Sequence, residues 1–154
     1  MGLKYVLAII IGYAIGNIAP AYFVGKKIGS IDIREHGSGN AGATNVWRVL
    51  GARPGIFVFI IDMRKGVIAV VIGRALGGEM GAALAGCAVI LGHDYPALLG
   101  FKGGKGVSTS FGVVLCLAPW VLITCSIIGI IIIKTTRYVS LGSICGMILA
   151  PIFM

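Results

Sequence analysis

The sequence predicts an all-α membrane protein, a polytopic bundle of about six helices, some short or broken, joined by glycine-rich basic loops. Three observations carry that expectation. Hydrophobic residues make up 58% of the chain and charged residues 12%, against about 25% charged in a soluble domain. Five apolar stretches, at 5–25, 54–76, 80–99, 107–133 and 138–154, approach or exceed the length that crosses a bilayer. The basic residues also gather between stretches: Lys26, Lys27, Arg34, Arg48 and Arg53 in one segment, Lys102 with Lys105 in another. By the positive-inside rule such loops face the cytoplasm. The net charge of +8 therefore speaks for topology and anionic ligands rather than for nucleic acid, which would need a soluble basic face.

By length the 154 residues form one integral membrane domain, 1–154, and mean hydropathy is +1.02. The first stretch has no small-residue cleavage site and reads as a retained helix, its inner end made polar and bent by Asn17 and Pro20. The second carries Asp62, Arg64 and Lys65, which must face other helices, water or the interface. The fourth is long for one span and holds Pro119 near its middle. Two short helices turning at Ala118-Pro119-Trp120 would return Lys134 and Arg137 to the side of Lys102 and Lys105.

Gly12/Gly16, Gly77/Gly81 and Gly142/Gly146 have the spacing of close helix contacts, read as packing inside one protomer rather than a dimer interface. The four cysteines lie in apolar runs and read as free thiols, with neither zinc nor disulfides implied. The apolar pattern stops at Met154 without a polar tail, as a chain truncated at its C-terminus would.

Chemistry is concentrated in the loops. In Ser30–Gly51, Ser38, Asn40, Thr44 and Asn45 supply neutral donors and acceptors, and Arg34 and Arg48 supply forks suited to phosphate. A helix beginning near Ala41 would put Asn40, Thr44 and Arg48 on one face, with an N-terminus that favours an anion. Gly37, Gly39 and Gly42 mimic a dinucleotide fingerprint, but Asp62 falls in a membrane stretch and no second strand follows, so that reading fails. In Gly92–Ser110, Gly100, Gly103, Gly104 and Gly106 surround Lys102 and Lys105, so backbone N–H groups can close on an anion. Leu99 and Gly106 break the pattern of a nucleotide-triphosphate loop. His93 with Asp94 offers a base or the group that orients one, against the plainer reading of hydrogen-bonded structure. Ser140 and Ser143, in RYVSLGS, carry little on their own.

The strings GSGNAGATNVWR, GHDYPALLGFKGGKGVSTSFG, RYVSLGS and DMRKG resemble, in order, motifs of the bacterial membrane glycerol-3-phosphate acyltransferases that use acyl phosphate as donor. The resemblance implies seven helices in the full family fold, an N-terminus outside, and motifs at the cytoplasmic face of the inner (plasma) membrane. It implies transfer of a fatty acyl group from acyl phosphate to the 1-hydroxyl of glycerol 3-phosphate, with no cofactor or metal, by a monomer or an oligomer. On this chain the catalytic set becomes Ser38, Asn45, Arg48, Lys105 and Ser143. The substrate-binding set becomes Asn40, Thr44, His93, Lys102, Gly103, Gly104 and Gly106. Two departures stand out: Asn17 replaces a common Ser, and the family's C-terminal motif with His, Asn and Glu is absent.

Acyl phosphate carries a good leaving group, and the chain has neither a G-x-S-x-G elbow nor an Asp four residues after a His. The expected mechanism is phosphate positioning and charge stabilisation, with a substrate phosphate oxygen taking the hydroxyl proton and His93 as the competing base. The alternative, a small transporter or channel for a phosphorylated solute, would suit Asp62, Arg64 and Lys65 but should show an inverted repeat, which the sequence lacks.

Overall fold

The structure, a computed structural model, describes residues 2–153, and only the backbone of Pro151. Met154, the last position of the fifth apolar stretch, lies outside the described residues. Helices α1 (Gly2–Gly16), α2 (Pro20–Gly29), α3 (Ala43–Leu50), α4 (Ala52–Asp94), α5 (Val107–Leu117), α6 (Pro119–Thr136) and α7 (Val139–Phe153) account for most of it. Two 3-10 turns, Ile33–Glu35 and Ala97–Leu99, lie in the loops, and the described residues contain no strand. The backbone divides into two compact units, residues 1–113 and 114–154.

The expected all-α class holds, and the differences from the expected count have local causes. The first stretch is not one helix: it breaks after Gly16, and Pro20 opens α2 as its first residue. The second and third stretches instead run together in α4, interrupted only at Gly77 and at Gly78, whose φ of 64° is a left-handed turn glycine makes at little cost. The fourth stretch splits at Pro119, as expected, into α5 and α6. Helix α3 lies inside the polar segment, close to where the sequence allows a helix beginning near Ala41.

Within the first unit, small residues set the packing. A Cβ at Gly12 would come within 2.6 Å of the Ala85 carbonyl, and one at Gly16 within 2.8 Å of Gly92 Cα, so α1 lies backbone to backbone on the second arm of α4. Gly81 abuts Gly73 across the interruption, folding the two arms of α4 together. Close approach by small residues is how helices gain van der Waals contact in lipid, where apolar burial drives little. Gly12 and Gly16 therefore act as expected, whereas Gly77 is a hinge residue against the Tyr5 ring.

Beneath the first loop, Ala21, Val24, Ile33, Ala41, Val46 and Val58 form a buried cluster drawn from α2, α3, α4 and the loop itself. In the second unit, a Cβ at Gly142 of α7 would come 2.7 Å from the Gly129 carbonyl of α6.

Gly2–Gly29, taken across the break after Gly16, and Pro119–Thr136 are long and apolar enough to cross a membrane, each holding an 18-residue stretch with a mean hydropathy of 1.8. Leu3, Ile10, Phe57, Trp120 and Ile131 are more than half exposed, as lipid-facing side chains would be.

Candidate functional site

The first loop is built around one side chain. Asn45, in the first turn of α3, is 1% exposed. Its Nδ2 donates to the carbonyls of His36 (2.9 Å), Ile33 (3.0 Å) and Asn40 (3.0 Å), and its Oδ1 accepts from Ser38 N–H at 2.8 Å. Left-handed backbone at Gly37 (φ 61°) and Gly39 (φ 72°) turns the chain around that amide. Asn45 is thus spent on the loop itself, and it holds Ser38 and Asn40 in place.

Helix α3 begins at Ala43 rather than near Ala41. Thr44 and Arg48 share its exposed face, but Asn40 precedes the helix and lies off that face. No side chain caps the first turn of α3.

Arg34 is not a free phosphate fork. Its guanidinium clasps Asp32 through Nε–Oδ1 (3.0 Å) and NH2–Oδ2 (2.7 Å), donates to the Leu99 carbonyl at 2.9 Å and lies over the Tyr22 ring. These hydrogen bonds from Arg34 hold the Asp32 carboxyl down from 3.8 to about 2.

Among the described residues, the Arg34–Leu99 bond is one of two hydrogen bonds that tie the loops together. The other runs from Ala41 N–H to the Gly103 carbonyl at 3.2 Å. The glycine-rich loop is in turn pinned to the end of α4, where Gly103 N–H donates to the Asp94 carbonyl (3.2 Å) and Gly104 N–H to that of His93 (3.0 Å). A Cβ at Gly103 would strike the His93 carbonyl, one at Gly104 would strike His93 Nε2, and Gly106 turns with φ 66°. Glycine is needed at all three by contact or by conformation.

The structure therefore bonds the segment that carries Ser38, Asn40, Thr44, Asn45 and Arg48 to the loop that carries Lys102, Gly103, Gly104, Lys105 and Gly106, with His93 against Gly104. Arg48, Lys102 and Lys105 are exposed and make no hydrogen bond or ion pair among the described residues. Ser143 lies in the second unit, on α7, with its hydroxyl donating to the Val139 carbonyl at 2.9 Å.

The sequence places Asp62, Arg64 and Lys65 together as intramembrane charges in a DMRKG motif and gives none of them a role in the reaction. The structure separates the three. Arg64 is exposed, whereas Asp62 and Lys65 are buried and meet His93. Lys65 Nζ lies 3.0 Å from Asp62 Oδ1 and 3.2 Å from His93 Nδ1. It also donates to the carbonyls of Ile18 (2.5 Å) and Gly16 (3.2 Å) where α1 ends. The readable signal was a charged pair three residues apart in an apolar helix, which places both on one face.

Asn17, expected to make the inner end of the first stretch polar, has a tertiary partner. Its Oδ1 accepts from Leu98 N–H at 3.3 Å, and Tyr13 Oη donates to the Tyr95 carbonyl at 2.8 Å, so the end of α1 is tied to the turn that leads into the glycine-rich loop.

Residues 6–154 match the family model described as glycerol-3-phosphate acyltransferase. The glycerol-3-phosphate acyltransferase of Thermoanaerobacter pseudethanolicus is 53% identical over 141 residues, covering 92% of this chain and 71% of that protein. Its counterpart in Clostridioides difficile is 45% identical over 157 residues, covering 98% and 77%. Among solved structures, PlsY (YgiH), an integral membrane glycerol 3-phosphate acyltransferase, aligns in its glycerol 3-phosphate form with a TM-score of 0.90 at 40% identity. That alignment covers 97% of this chain and 75% of PlsY. The lysophosphatidic acid form of PlsY aligns with a TM-score of 0.87 at 39% identity. With a fold, a motif order and a whole-length match that agree, the chain belongs to the glycerol-3-phosphate acyltransferase family of membrane proteins.

Proposed function

We propose that this protein transfers a fatty acyl group from acyl phosphate to the 1-hydroxyl of glycerol 3-phosphate, releasing 1-acylglycerol 3-phosphate and phosphate for phospholipid synthesis. The work is done at the cytoplasmic face of the bacterial plasma membrane, with the N-terminus outside. Family membership supports the acceptor and the reaction class. The observation that carries the site is that, among the described residues, Arg48 on α3 and Lys102 and Lys105 on the glycine-rich loop stand without hydrogen-bond or ion-pair partners, on two segments bonded to each other, while Arg34 is neutralised by Asp32. Unspent cations on a fixed, glycine-lined frame are what two phosphate groups require.

In this reading the acceptor hydroxyl oxygen attacks the acyl carbonyl carbon, and the bond from that carbon to the phosphate oxygen breaks. Phosphate leaves with the electron pair, and its oxygen takes the hydroxyl proton. Arg48 and Lys105 offset the charge that grows on the leaving phosphate, and Ser38 donates beside them. Asn40, Thr44, His93, Lys102 and the glycines at 103, 104 and 106 hold the substrates. Asn45 is a positioning residue, because its amide is occupied by the loop backbone. Ser143 joins the proposal on its RYVSLGS motif.

The test is direct. Protein solubilised in detergent and given glycerol 3-phosphate with acyl phosphate should form lysophosphatidate, and more slowly with acyl-coenzyme A as donor. Product formed equally well from acyl-coenzyme A would overturn the donor assignment, and no product from either would overturn the function.

A further inference from the structure

The reaction just described uses His93 but leaves Asp62 and Lys65, buried beside it, without a role, and the geometry of the three allows a proton count. An ammonium has three protons to give. Lys65 Nζ donates to Ile18 O (2.5 Å) and Gly16 O (3.2 Å) and lies at hydrogen-bond distance from His93 Nδ1 (3.2 Å), so a third bond donated to the ring would use all three. Asp62 Oδ1 lies 3.0 Å from the same ammonium and 3.3 Å from His93 Nδ1, yet neither carboxylate oxygen receives a directed hydrogen bond among the described residues. Its role is countercharge. A charge buried this deeply, with Lys65 4% and Asp62 1% exposed, needs such a partner.

The consequence falls on the imidazole. If Nδ1 accepts from Lys65, the ring proton sits on Nε2. That nitrogen lies directly against Gly104, in the middle of the glycine-rich loop, where any Cβ would displace it. The backbone between the two is fixed as well, since Gly104 N–H is bonded to the His93 carbonyl.

We propose that Asp62 and Lys65 are positioning residues that fix His93 as its Nε2–H tautomer, a hydrogen-bond donor turned toward the glycine-rich loop and the substrate phosphate there. This rests on the phosphate reading of that loop. It removes His93 from contention as the general base, because one ring nitrogen is occupied and the other already carries the proton. It also explains why Lys65 reaches the broken end of α1: the Gly16 and Ile18 carbonyls, left without helical partners where α1 stops, are satisfied by the same ammonium that sets the ring.

Two measurements test the proposal, and one is independent of activity. The chain has two histidines, so in the His36→Gln variant nitrogen-15 labelling of histidine reports on His93 alone. The spectrum should show the Nε2–H tautomer, and Lys65→Met should abolish that preference. A ring found as Nδ1–H before the lysine is removed overturns the proposal, whether or not the protein is active.

The second measurement is kinetic. A phosphate contact made equally in ground and transition states appears in KM. Lys65→Met should therefore raise KM for glycerol 3-phosphate or acyl phosphate about tenfold, with kcat changed less than about threefold. Because Lys65 acts through the ring, the same substitution should add nothing in a His93→Ala background, while His93→Gln, which keeps a donor near Nε2, should restore most of the affinity. Additive effects of Lys65→Met and His93→Ala would show that the lysine acts independently, and would overturn the coupling. Absence of lysophosphatidate from the unaltered protein would instead defeat the functional reading and leave the tautomer to be judged by the spectrum.

Discussion

The two loops that meet at the Ala41–Gly103 hydrogen bond are built on opposite plans. The first is saturated: Asn45 binds four backbone groups, Arg34 closes on Asp32, and a cluster including Ile33, Ala41 and Val46 packs beneath. The glycine-rich loop has no side-chain clamp of that kind. It is held by backbone bonds to His93 and Asp94, and its lysines end in the open. The difference teaches a division of labour. The first loop supplies rigidity and the second supplies charge, and bonding one to the other lends the charged loop a fixed geometry, which is what electrostatic stabilisation needs.

The largest effect should come from removing the clamp. Asn45→Ala removes a bond from three carbonyls and one N–H; the Ile33 and His36 carbonyls keep backbone donors, but the Asn40 carbonyl and Ser38 N–H do not, and each group left unsatisfied costs about 1–3 kcal/mol. Water will reach some of them, so a net loss of about 3 kcal/mol is expected, a fall in Tm of roughly 6–12 °C for a chain of this size. Acyl transfer should fall with it. Asn45→Asp should do no better, since it sets a carboxylate oxygen against three carbonyls. A Tm within about 2 °C of the parent for both variants would break the claim that the first loop is a scaffold.

Lys105→Ala should do the reverse, leaving Tm unchanged and lowering acyl transfer about 10- to 100-fold, the worth of one charge-assisted hydrogen bond to phosphate. Near-normal turnover at low substrate would remove the lysine from the site. Arg48→Lys tests the same division from the exposed face of α3. It keeps the charge but loses the planar fork, so about a tenfold loss in kcat/KM is expected. An unchanged value would mean that Arg48 acts as a point charge.

How much of this was legible in the sequence follows the same division. The apolar runs and Pro119 announced the helical class and the α5–α6 break, because lipid forces backbone groups to be satisfied within each segment. The glycines around Lys102 and Lys105 showed a loop able to wrap an anion. Their steric purpose was hidden, since it depends on the His93 ring and carbonyl arriving from α4. Arg34 and Arg48 looked alike on paper. Only the turn at Ile33–Glu35, which brings the Asp32 carboxylate onto the Arg34 guanidinium, tells the spent arginine from the free one. The resemblance puts Asn45 in the catalytic set, yet the partners it has here include carbonyls up to twelve residues away, which no pattern of side chains displays. The Lys65–His93 contact spans 28 residues and a fold-back at Gly77 and Gly78. Such contacts are set by tertiary packing rather than by local pattern.

The smallest effect sharpens the comparison by titrating the scaffold alone. Asp32 has a folded pKa of about 2 against an ordinary 3.8, lowered first by the Arg34 side-chain hydrogen bonds. A depressed carboxylate pKa contributes stability that is complete above the ordinary value and disappears as pH falls through the folded one. The contribution should thus be flat above about pH 5 and lost between about 4 and 2. Asp32→Asn removes the titrating group but keeps an oxygen for Arg34 N–H, which Asp32 Oδ1 accepts at 3.0 Å. Its Tm should therefore lie about 2–4 °C below the parent near neutral pH, with the gap closing as the parent is acidified. The pair sits near the surface, where solvent and salt screen it, so high salt should narrow the gap as well. A gap that persists unchanged at pH 2 would mean that the carboxylate's charge contributes nothing, and that packing of Arg34 on Tyr22 and its bond to Leu99 hold the turn.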